Sequence, residues 1–537
     1  MRIILKNDQF ETFVAAVPDE ALRAKLNKTY AYRIANQKAT EIDVDLEMTG
    51  DMLEATREAL KAGSEPMRGV ENQLNFWARM LEDPDTPKVT RLQQMKAAIV
   101  LWMLKKPIKG WLFKVKDDIV TPYLVTDVTY NVGSMNSAPS VTIKLDINTF
   151  KVGDQTYGAE SIIISQASLP GTVEEVLAAN GFFHETPALH EAYEESLKRY
   201  EEVQAQVNEQ FHIMPGTYKG TARYSAKVQL TKMQKGINDD TLVKRHIRDG
   251  HTIAPGEGAG LASYFTEIPL YTAHYIYLLG THEVCIVPSM RMKDYVYDAN
   301  PESKIVLPED HRRLIDILTN EREEIMEDVV SDKSGGNVIM LEGSPGLGKT
   351  LVAEIYSEKI KRPLYRLEAG LLGLDAVSVE KSLKNAYENA VRWDAVALID
   401  EADIYVRKRN DDMSHNAIVA TMLIGMERQS SLTFMATNRT DDIDDAILSR
   451  CIAVVRFQSP TNEDAKQIWR IQADTLKVNI TDEVINQIVE HYAPDNKPTP
   501  SGRDIRNLLK LVKRFQSGKT DEVTYQQVLD LAVFRRM

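Results

Sequence analysis

A predicted buried strand that runs directly into a glycine-rich loop constrains the fold of this chain more than any other feature. Residues 337–350 read NVIMLEGSPGLGKT, an apolar run followed by the pattern G-x-x-x-x-G-K-T. The glycines let the backbone turn so that its N–H groups face phosphate oxygens. Lys349 would supply a positive charge to the β- and γ-phosphates and Thr350 a hydroxyl to Mg²⁺, at the positive end of the following helix. The residues predicted to hold a nucleotide here are Gly343, Ser344, Pro345, Gly346, Leu347, Gly348, Lys349 and Thr350.

A second apolar run, residues 395–399, ends in two adjacent acids, Asp400 and Glu401. A strand that is apolar throughout is typical of a parallel sheet buried on both faces, and such sheets bind ligands at the carboxyl edge of their strands. Two adjacent carboxylates repel each other, and a metal ion beside them is a natural explanation. We therefore predict that Asp400 joins Thr350 in the Mg²⁺ shell and that Glu401 orients and deprotonates the attacking water.

A third apolar run, residues 432–437, ends in the polar residue Asn438, and the segment 441–451, DDIDDAILSRC, then leads to Arg450. With the glycine-rich loop and the acidic pair, these motifs follow one another in an order and at a spacing that resemble the AAA+ superfamily, in particular its AAA-type branch. The resemblance covers about residues 335–515.

The resemblance implies an ATPase that converts ATP and water to ADP and phosphate, with ATP and Mg²⁺ as cofactors. Asn438 looks like the sensor-1 residue that positions the lytic water, and Arg450 looks like the arginine finger that reaches a neighbouring subunit's γ-phosphate. Arg503 or Arg506 could face the nucleotide as a sensor-2 residue, or both could be surface residues of the lid. Because the finger is supplied in trans, the resemblance also implies a ring, most often a hexamer of identical chains.

The chain departs from the family pattern where related rings place the loop of the central pore. Residues 370–375 read GLLGLD, with leucines instead of the usual aromatic residue. Leu371, Leu372 and Leu374 either grip a client or belong to the core, and the sequence favours neither alternative. The polar loop at 407–412 is a candidate second pore loop. The finger segment carries a single arginine, and its Ser-Arg-Cys at 449–451 also resembles the finger motif of DNA clamp loaders.

The fold class expected is α/β, a P-loop parallel sheet with a C-terminal helical lid, preceded by an α+β N-terminal region. Residues 1–108 are predicted to be mainly helical and 109–300 to be β-rich with a long acidic helix, both suited to docking a substrate or adaptor. Residues 301–458 are predicted to form the ATPase core and 459–537 the lid. Strand-like segments lie at 111–115, 123–132 and 141–148, and an apolar stripe from Tyr193 to Phe211 predicts one helix.

The formal charge of −13 and the presence of only two cysteines narrow the functional classes. An acidic surface repels phosphate backbones, which makes a nucleic-acid motor or loader the weaker alternative. Few cysteines favour a reducing, cytoplasmic location over a disulfide framework or a zinc site. No apolar run approaches the roughly 20 residues of a membrane span, and no membrane association is expected. We expect a ring that remodels, unfolds or disassembles a protein client; an ATP-switched assembly factor is a further alternative.

Overall fold

The computed structural model describes most of the chain, and its residues divide into two compact units. The first unit comprises residues 1–206, 240–275 and 286–291, and the second comprises residues 207–239, 276–285 and 292–537. The described residues are 1–36, 41–62, 67–105, 108–133, 137–148, 150–152, 155–157, 160–220, 227–242, 244–245, 265, 267–320, 337–409, 411–492, 500–516 and 522–535.

The first unit combines α-helices with antiparallel strands around a large apolar core and a smaller apolar cluster that includes Trp111 and Tyr193. Its helices are Phe10–Ala16, Glu20–Asn36, Gly50–Lys61, Arg68–Glu82, Leu92–Lys105, Val173–Ala179 and Pro187–Ala205. Its largest sheet has the strand order Glu160–Ser165, Ser140–Asp146, Ile119–Asn131, Trp111–Lys116, Phe182–His184. Two smaller sheets pair Arg2–Lys6 with Glu41–Asp45, and Phe150–Val152 with Gln155–Tyr157 and Lys244–Arg245. Each of the three predicted strand segments between 111 and 148 overlaps a strand of the largest sheet, and the second and third run one and two residues past the strand ends.

The helix Pro187–Ala205 is shorter than the apolar stripe predicted. Val207 and Phe211 lie beyond its end, and Phe211 is in the strand Gln210–Ile213. Asn208 adopts the left-handed conformation with φ of +63°, which a continuing helix does not tolerate. The prediction of one helix through Phe211 was therefore wrong. The spacing of a buried strand residue happened to continue the helical period.

The second unit contains most of a seven-stranded sheet and all of a separate five-stranded parallel sheet. The strand order of the first is Val228–Leu230, Gly216–Gly220, Val284–Pro288, Ala273–Leu278, Gln234–Asn238, Gln210–Ile213, Met292–Asp294. The strand order of the parallel sheet is Leu364–Glu368, Val396–Asp400, Thr433–Thr437, Val338–Gly343, Ala453–Phe457. Its three central strands are buried at every position, as their continuous apolar runs predict.

Helices flank the parallel sheet, and a group of further helices follows it along the chain. The flanking helices are Glu309–Asn320, Lys349–Lys359, Ala369–Leu372, Ala376–Arg392, Asp403–Val406, Met413–Arg428 and Asp445–Leu448. The following helices are Asn462–Leu476, Asp482–Tyr492, Gly502–Phe515 and Tyr525–Ala532, and they share an apolar core of their own. Within the described ranges, no helix is both long enough and apolar enough to cross a membrane.

Candidate functional site

The glycine-rich loop leaves the strand Val338–Gly343 at the carboxyl edge of the parallel sheet and enters the helix Lys349–Lys359. Gly343 has φ of +145° and Gly346 has φ of +86°, conformations that favour glycine. A Cβ atom on Gly343 would lie 2.6 Å from the carbonyl oxygen of Phe457, so no side chain fits there. The loop therefore has the backbone turn that the sequence predicts.

Lys349 joins this loop to the end of a neighbouring strand. Its ammonium donates to the carbonyl oxygens of Gly343 (2.7 Å) and Ser344 (2.9 Å), and to Oδ1 of Asn438 (3.0 Å). Burial lowers the pKa of Lys349. The structure thus brings together two predicted site residues that lie 89 positions apart in the sequence.

Asn438 is fixed from a second direction by Asp403. The backbone N–H of Asn438 donates to Asp403 Oδ1 at 2.8 Å, and the hydroxyl of Thr437 donates to the same oxygen at 2.6 Å. The amide oxygen of Asn438 therefore faces Lys349 while its backbone is held by the carboxylate. Asp403 lies three positions after Asp400, and none of the predicted motifs assigns it this supporting role.

Thr350 and Asp400 provide two oxygen atoms that suit Mg²⁺. The hydroxyl of Thr350 donates to Asp400 Oδ2 at 3.0 Å, and the Asp400 side chain is 9% exposed. In the described part of the chain, no group of three His, Cys, Asp or Glu side chains is arranged to hold a metal. Two protein oxygens nevertheless fit Mg²⁺, which is usually bound by one or two carboxylates together with waters and the phosphates of its substrate.

Glu401 follows the strand Val396–Asp400 at the same edge and is exposed. Its φ is +55°, a value that costs free energy for a residue with a side chain and that is enriched at functional sites. Its backbone N–H donates to Asp400 Oδ1 at 3.0 Å. The chain therefore turns sharply at Glu401, which lines the same cavity as Thr350 and Asp400.

One cavity of about 670 Å³, a size typical of sites for small ligands, is lined by Lys349, Thr350, Asp400, Glu401 and Asn438. Arg503 and Arg506 from the helix Gly502–Phe515 also line it, and the backbone N–H of Arg503 donates to the Gly346 carbonyl at 3.4 Å. The two arginines thus both face the cavity. The geometry does not choose one of them as the sensor-2 residue.

Arg450 does not line this cavity. Its guanidinium pairs with Glu427 at 2.6 Å and donates to the Ala446 carbonyl at 3.0 Å, and its side chain is 32% exposed. An arginine held in this way is separated from the phosphate loop of its own chain. The arrangement suits a residue that acts elsewhere, as the resemblance implies for a finger.

The leucines of residues 370–375 divide between the two alternatives. Leu372 is 1% exposed and belongs to the core beneath the parallel sheet, whereas Leu371 is 44% and Leu374 is 73% exposed. The pore-loop hypothesis is therefore restricted to Leu371 and Leu374. In the candidate second pore loop, Arg409 is bound to the buried Asp444 at 2.9 Å, which assigns at least this arginine to the fold. Asn410 lies outside the described residues.

One basic residue of the site was not predicted from the sequence. Arg366, in the strand Leu364–Glu368, lines the cavity and its Nη2 lies 2.8 Å from Asp400 Oδ2. The signal was present but weak: in the segment LYRLE the apolar residues 365 and 367 alternate with Arg366. The Arg366 side chain reaches Asp400 because its strand pairs with Val396–Asp400, and the sequence pattern alone does not predict that pairing.

Part of this chain is similar to a known family of proteins. Residues 339–459 match the model of the ATPase family associated with various cellular activities (AAA). An uncharacterized AAA family ATPase, y4kL, of Sinorhizobium fredii is 32% identical over 22% of this chain and 38% of its own length. The ATP-dependent zinc metalloprotease FtsH of Mesoplasma florum is 26% identical over 32% of this chain and 27% of its own length. The chain thus matches less than half of the length of either relative.

A chain in the solved structure of the HORMA:CdnC:Trip13 complex of E. coli MS115-1 also resembles part of this protein. It is 17% identical to this protein, covers 44% of it and 92% of the solved chain, and has a TM-score of 0.36.

Proposed function

We propose, from the match of residues 339–459 to the model of the AAA family of ATPases, that this chain binds ATP with Mg²⁺ and hydrolyses it to ADP and phosphate. The observation that carries the proposal is the convergence of Lys349, Thr350, Asp400 and Asn438 on one cavity. The cavity is lined by cations and backbone N–H groups that complement a polyphosphate, and by carboxylates that suit a metal ion.

The residues divide the work according to their chemistry. Lys349 gives up its hydrogen bonds to the loop carbonyls and binds the β- and γ-phosphates instead. Arg503 or Arg506 adds positive charge from the helix Gly502–Phe515. Asn438 holds the attacking water, and Glu401 accepts its proton. Mg²⁺, held by Thr350 and Asp400 when bound, neutralises charge on the phosphate oxygens.

Hydrolysis in this proposal also requires a neighbouring subunit. Arg450 is outside the cavity of its own chain, and positive charge aimed at the γ-phosphate is most effective when it meets charge that develops in the transition state. We propose that Arg450 is supplied in trans within a ring of identical chains, most simply a hexamer. The helices from Asn462 to Ala532 would then serve as the lid over the nucleotide.

We further propose that the ring acts on a protein client. The exposed side chains of Leu371 and Leu374 offer an apolar contact to a polypeptide, and basic side chains for a phosphate backbone are absent from these positions. The net charge of −13 supports the same choice. The first unit is the natural candidate for client or adaptor docking.

The test compares wild-type protein with Glu401→Gln. The variant should bind ATP as the wild type does, and its hydrolysis should fall by about 10²–10⁴-fold, because it lacks the general base. Glu388→Gln, at an exposed position of the helix Ala376–Arg392, is the matched control and should hydrolyse ATP at the wild-type rate. Full activity of Glu401→Gln would reject this assignment of the base.

The client is tested by adding either a permanently unfolded protein or single-stranded DNA to the wild type. Unfolded protein should raise the hydrolysis rate, and the double variant Leu371→Ser, Leu374→Ser should lose that stimulation but keep its basal rate. Stimulation by DNA alone would reject the protein client and favour a nucleic-acid motor.

A further inference from the structure

Arg366 occupies an unusual place among the charges of the nucleotide cavity. Its strand, Leu364–Glu368, pairs in parallel with Val396–Asp400, so that Arg366 is opposite Leu398 in the register. Tyr365 and Leu367 point into the core, whereas the guanidinium lines the cavity. The fold thus delivers a cation to the carboxyl edge of the sheet from a strand that none of the predicted motifs includes.

The contact of Arg366 falls on the oxygen atom that the magnesium site needs. Nη2 lies 2.8 Å from Asp400 Oδ2, and the same oxygen accepts the Thr350 hydroxyl at 3.0 Å. The other carboxylate oxygen, Oδ1, accepts the local N–H of Glu401. Glu368 is a weaker partner for the arginine, because its carboxylate lies 3.7 Å from Nε.

The two side chains of this ion pair differ in how freely they can move. The Asp400 side chain is 9% exposed and is held at both oxygens, whereas the Arg366 side chain is 42% exposed and extends from its strand along the cavity. When the pair separates, the arginine is therefore the partner that moves. A guanidinium and Mg²⁺ at contact distance from one carboxylate oxygen repel each other, and only one can hold Oδ2 closely.

We propose that Arg366 is a positioning residue that competes with Mg²⁺ for Asp400. In the absence of the metal it neutralises the carboxylate and keeps Oδ2 next to Thr350. Binding of the metal displaces the guanidinium, and its return favours release of the metal with the product nucleotide. The inference rests on the proposed ATPase function and adds a residue that tunes its dependence on magnesium.

The experiment measures the dissociation constant of a fluorescent ADP analogue, once in excess Mg²⁺ and once in EDTA. Arg366→Gln removes the charge and should tighten binding in Mg²⁺ by roughly three- to tenfold, the effect of one charge-assisted hydrogen bond. Binding in EDTA should not tighten, because the competition requires the metal and the uncompensated Asp400 carboxylate repels the phosphates. Arg366→Lys keeps a point charge without the planar fork and should lie between the two.

A matched control is available at a second arginine–carboxylate pair of the same unit. Arg392 Nη1 lies 2.8 Å from Asp239 Oδ2, and the Asp239 side chain is 1% exposed, but neither residue lines the cavity. Arg392→Gln should leave both dissociation constants unchanged. It separates the loss of a buried ion pair in general from the loss of this one.

The outcomes divide cleanly. Weaker ADP binding by Arg366→Gln in Mg²⁺ would mean that Arg366 is a phosphate ligand, and unchanged binding in Mg²⁺ would mean that it is only structural; either result overturns the proposal. Should Arg366→Gln fail to fold, Arg366→Lys carries the same test in the same direction. A wild type that binds no ADP in either buffer would instead reject the proposed ATPase function.

Discussion

Two buried carboxylates, one in each unit, are bound in opposite ways. Glu185 of the first unit is fully buried, and its oxygens accept the backbone N–H groups of Ile108, Lys109 and Gly110 at 2.6 to 3.0 Å and contact His190 at 3.1 Å. Asp400 of the second unit contacts only side chains through Oδ2 and faces a cavity. Backbone donors fixed by the fold make Glu185 part of the structure, whereas side-chain donors that can turn away leave Asp400 ready for a ligand.

This comparison predicts that changes around Asp400 alter chemistry and leave folding intact, and that changes around Glu185 do the reverse.

The largest expected effect is at Arg450. Arg450→Ala should bind ATP normally and hydrolyse it about 10³–10⁵ times more slowly, since an arginine finger contributes that much to the rate. Its melting temperature should stay close to the wild-type value, because the side chain is partly exposed and its ion pair with Glu427 is at the surface. The measurements are steady-state hydrolysis, nucleotide affinity and a thermal melt.

Mixing separates action in trans from action in cis. Lys349→Ala lacks the phosphate-binding lysine and should be inactive alone. In mixed rings with Arg450→Ala, interfaces that pair an intact loop with an intact arginine reappear, and some turnover should return. Mixed rings that stay inactive would place Arg450 in its own site or in the fold, and the finger would be rejected.

The next largest effect is on the folding of the first unit. Glu185→Ala leaves three buried backbone N–H groups without their acceptor and should lower the free energy of unfolding by about 3–5 kcal/mol. The hydrolysis rate of the folded protein should not change. Glu191→Ala, at an exposed position of the nearby helix Pro187–Ala205, should cost less than about 0.5 kcal/mol. A urea titration measures both. A small loss at Glu185 would contradict the structural assignment.

The two carboxylates also differ in how visible they are in the sequence. Asp400 follows an apolar strand and precedes Glu401, and its partner Thr350 ends a glycine-rich pattern, so local spacing alone predicts the pair. Glu185 bonds to residues about 75 positions away that carry no motif, because backbone N–H groups leave no signature in the residue types. Arg366 lies between these cases: its contact depends on strand order in the sheet, which the sequence did not establish.

Leu372 and Leu374 test the comparison within a single loop. Leu372→Ala removes a side chain that is 1% exposed and should cost about 2–5 kcal/mol of stability. Leu374→Ala removes one that is 73% exposed and should cost less than about 0.5 kcal/mol, while it weakens any stimulation by unfolded protein. Chemical denaturation and stimulated hydrolysis measure the two effects. Equal stability losses would place Leu374 in the core and end its role as a pore residue.

The smallest effect concerns a structural carboxylate on the same helix as Lys349. Glu358, near the end of Lys349–Lys359, accepts hydrogen bonds from Lys235 at 2.8 Å, from the Tyr295 hydroxyl and from the backbone N–H of Asp298 at 3.1 Å. It therefore belongs with Glu185 rather than with Asp400, although it lies one helix length from the phosphate loop.

The pH dependence of stability identifies this contribution. Burial alone would raise the pKa of Glu358, but the hydrogen bonds from Lys235 and Tyr295 outweigh it and hold the pKa below its ordinary value of 4.5. A carboxyl whose pKa is lower in the folded state stabilises that state fully above the unfolded value, and the contribution is lost as the pH falls through the folded value. Glu358→Gln should therefore be about 1 kcal/mol less stable than the wild type at pH 7, and the difference should shrink below pH 4.5.

Glu380→Gln, at an exposed position of the helix Ala376–Arg392, should match the wild type at both pH values in the same urea titrations. A difference for Glu358→Gln that is equally large at pH 7 and in acid would show that the charge of Glu358 contributes nothing and that only its shape matters.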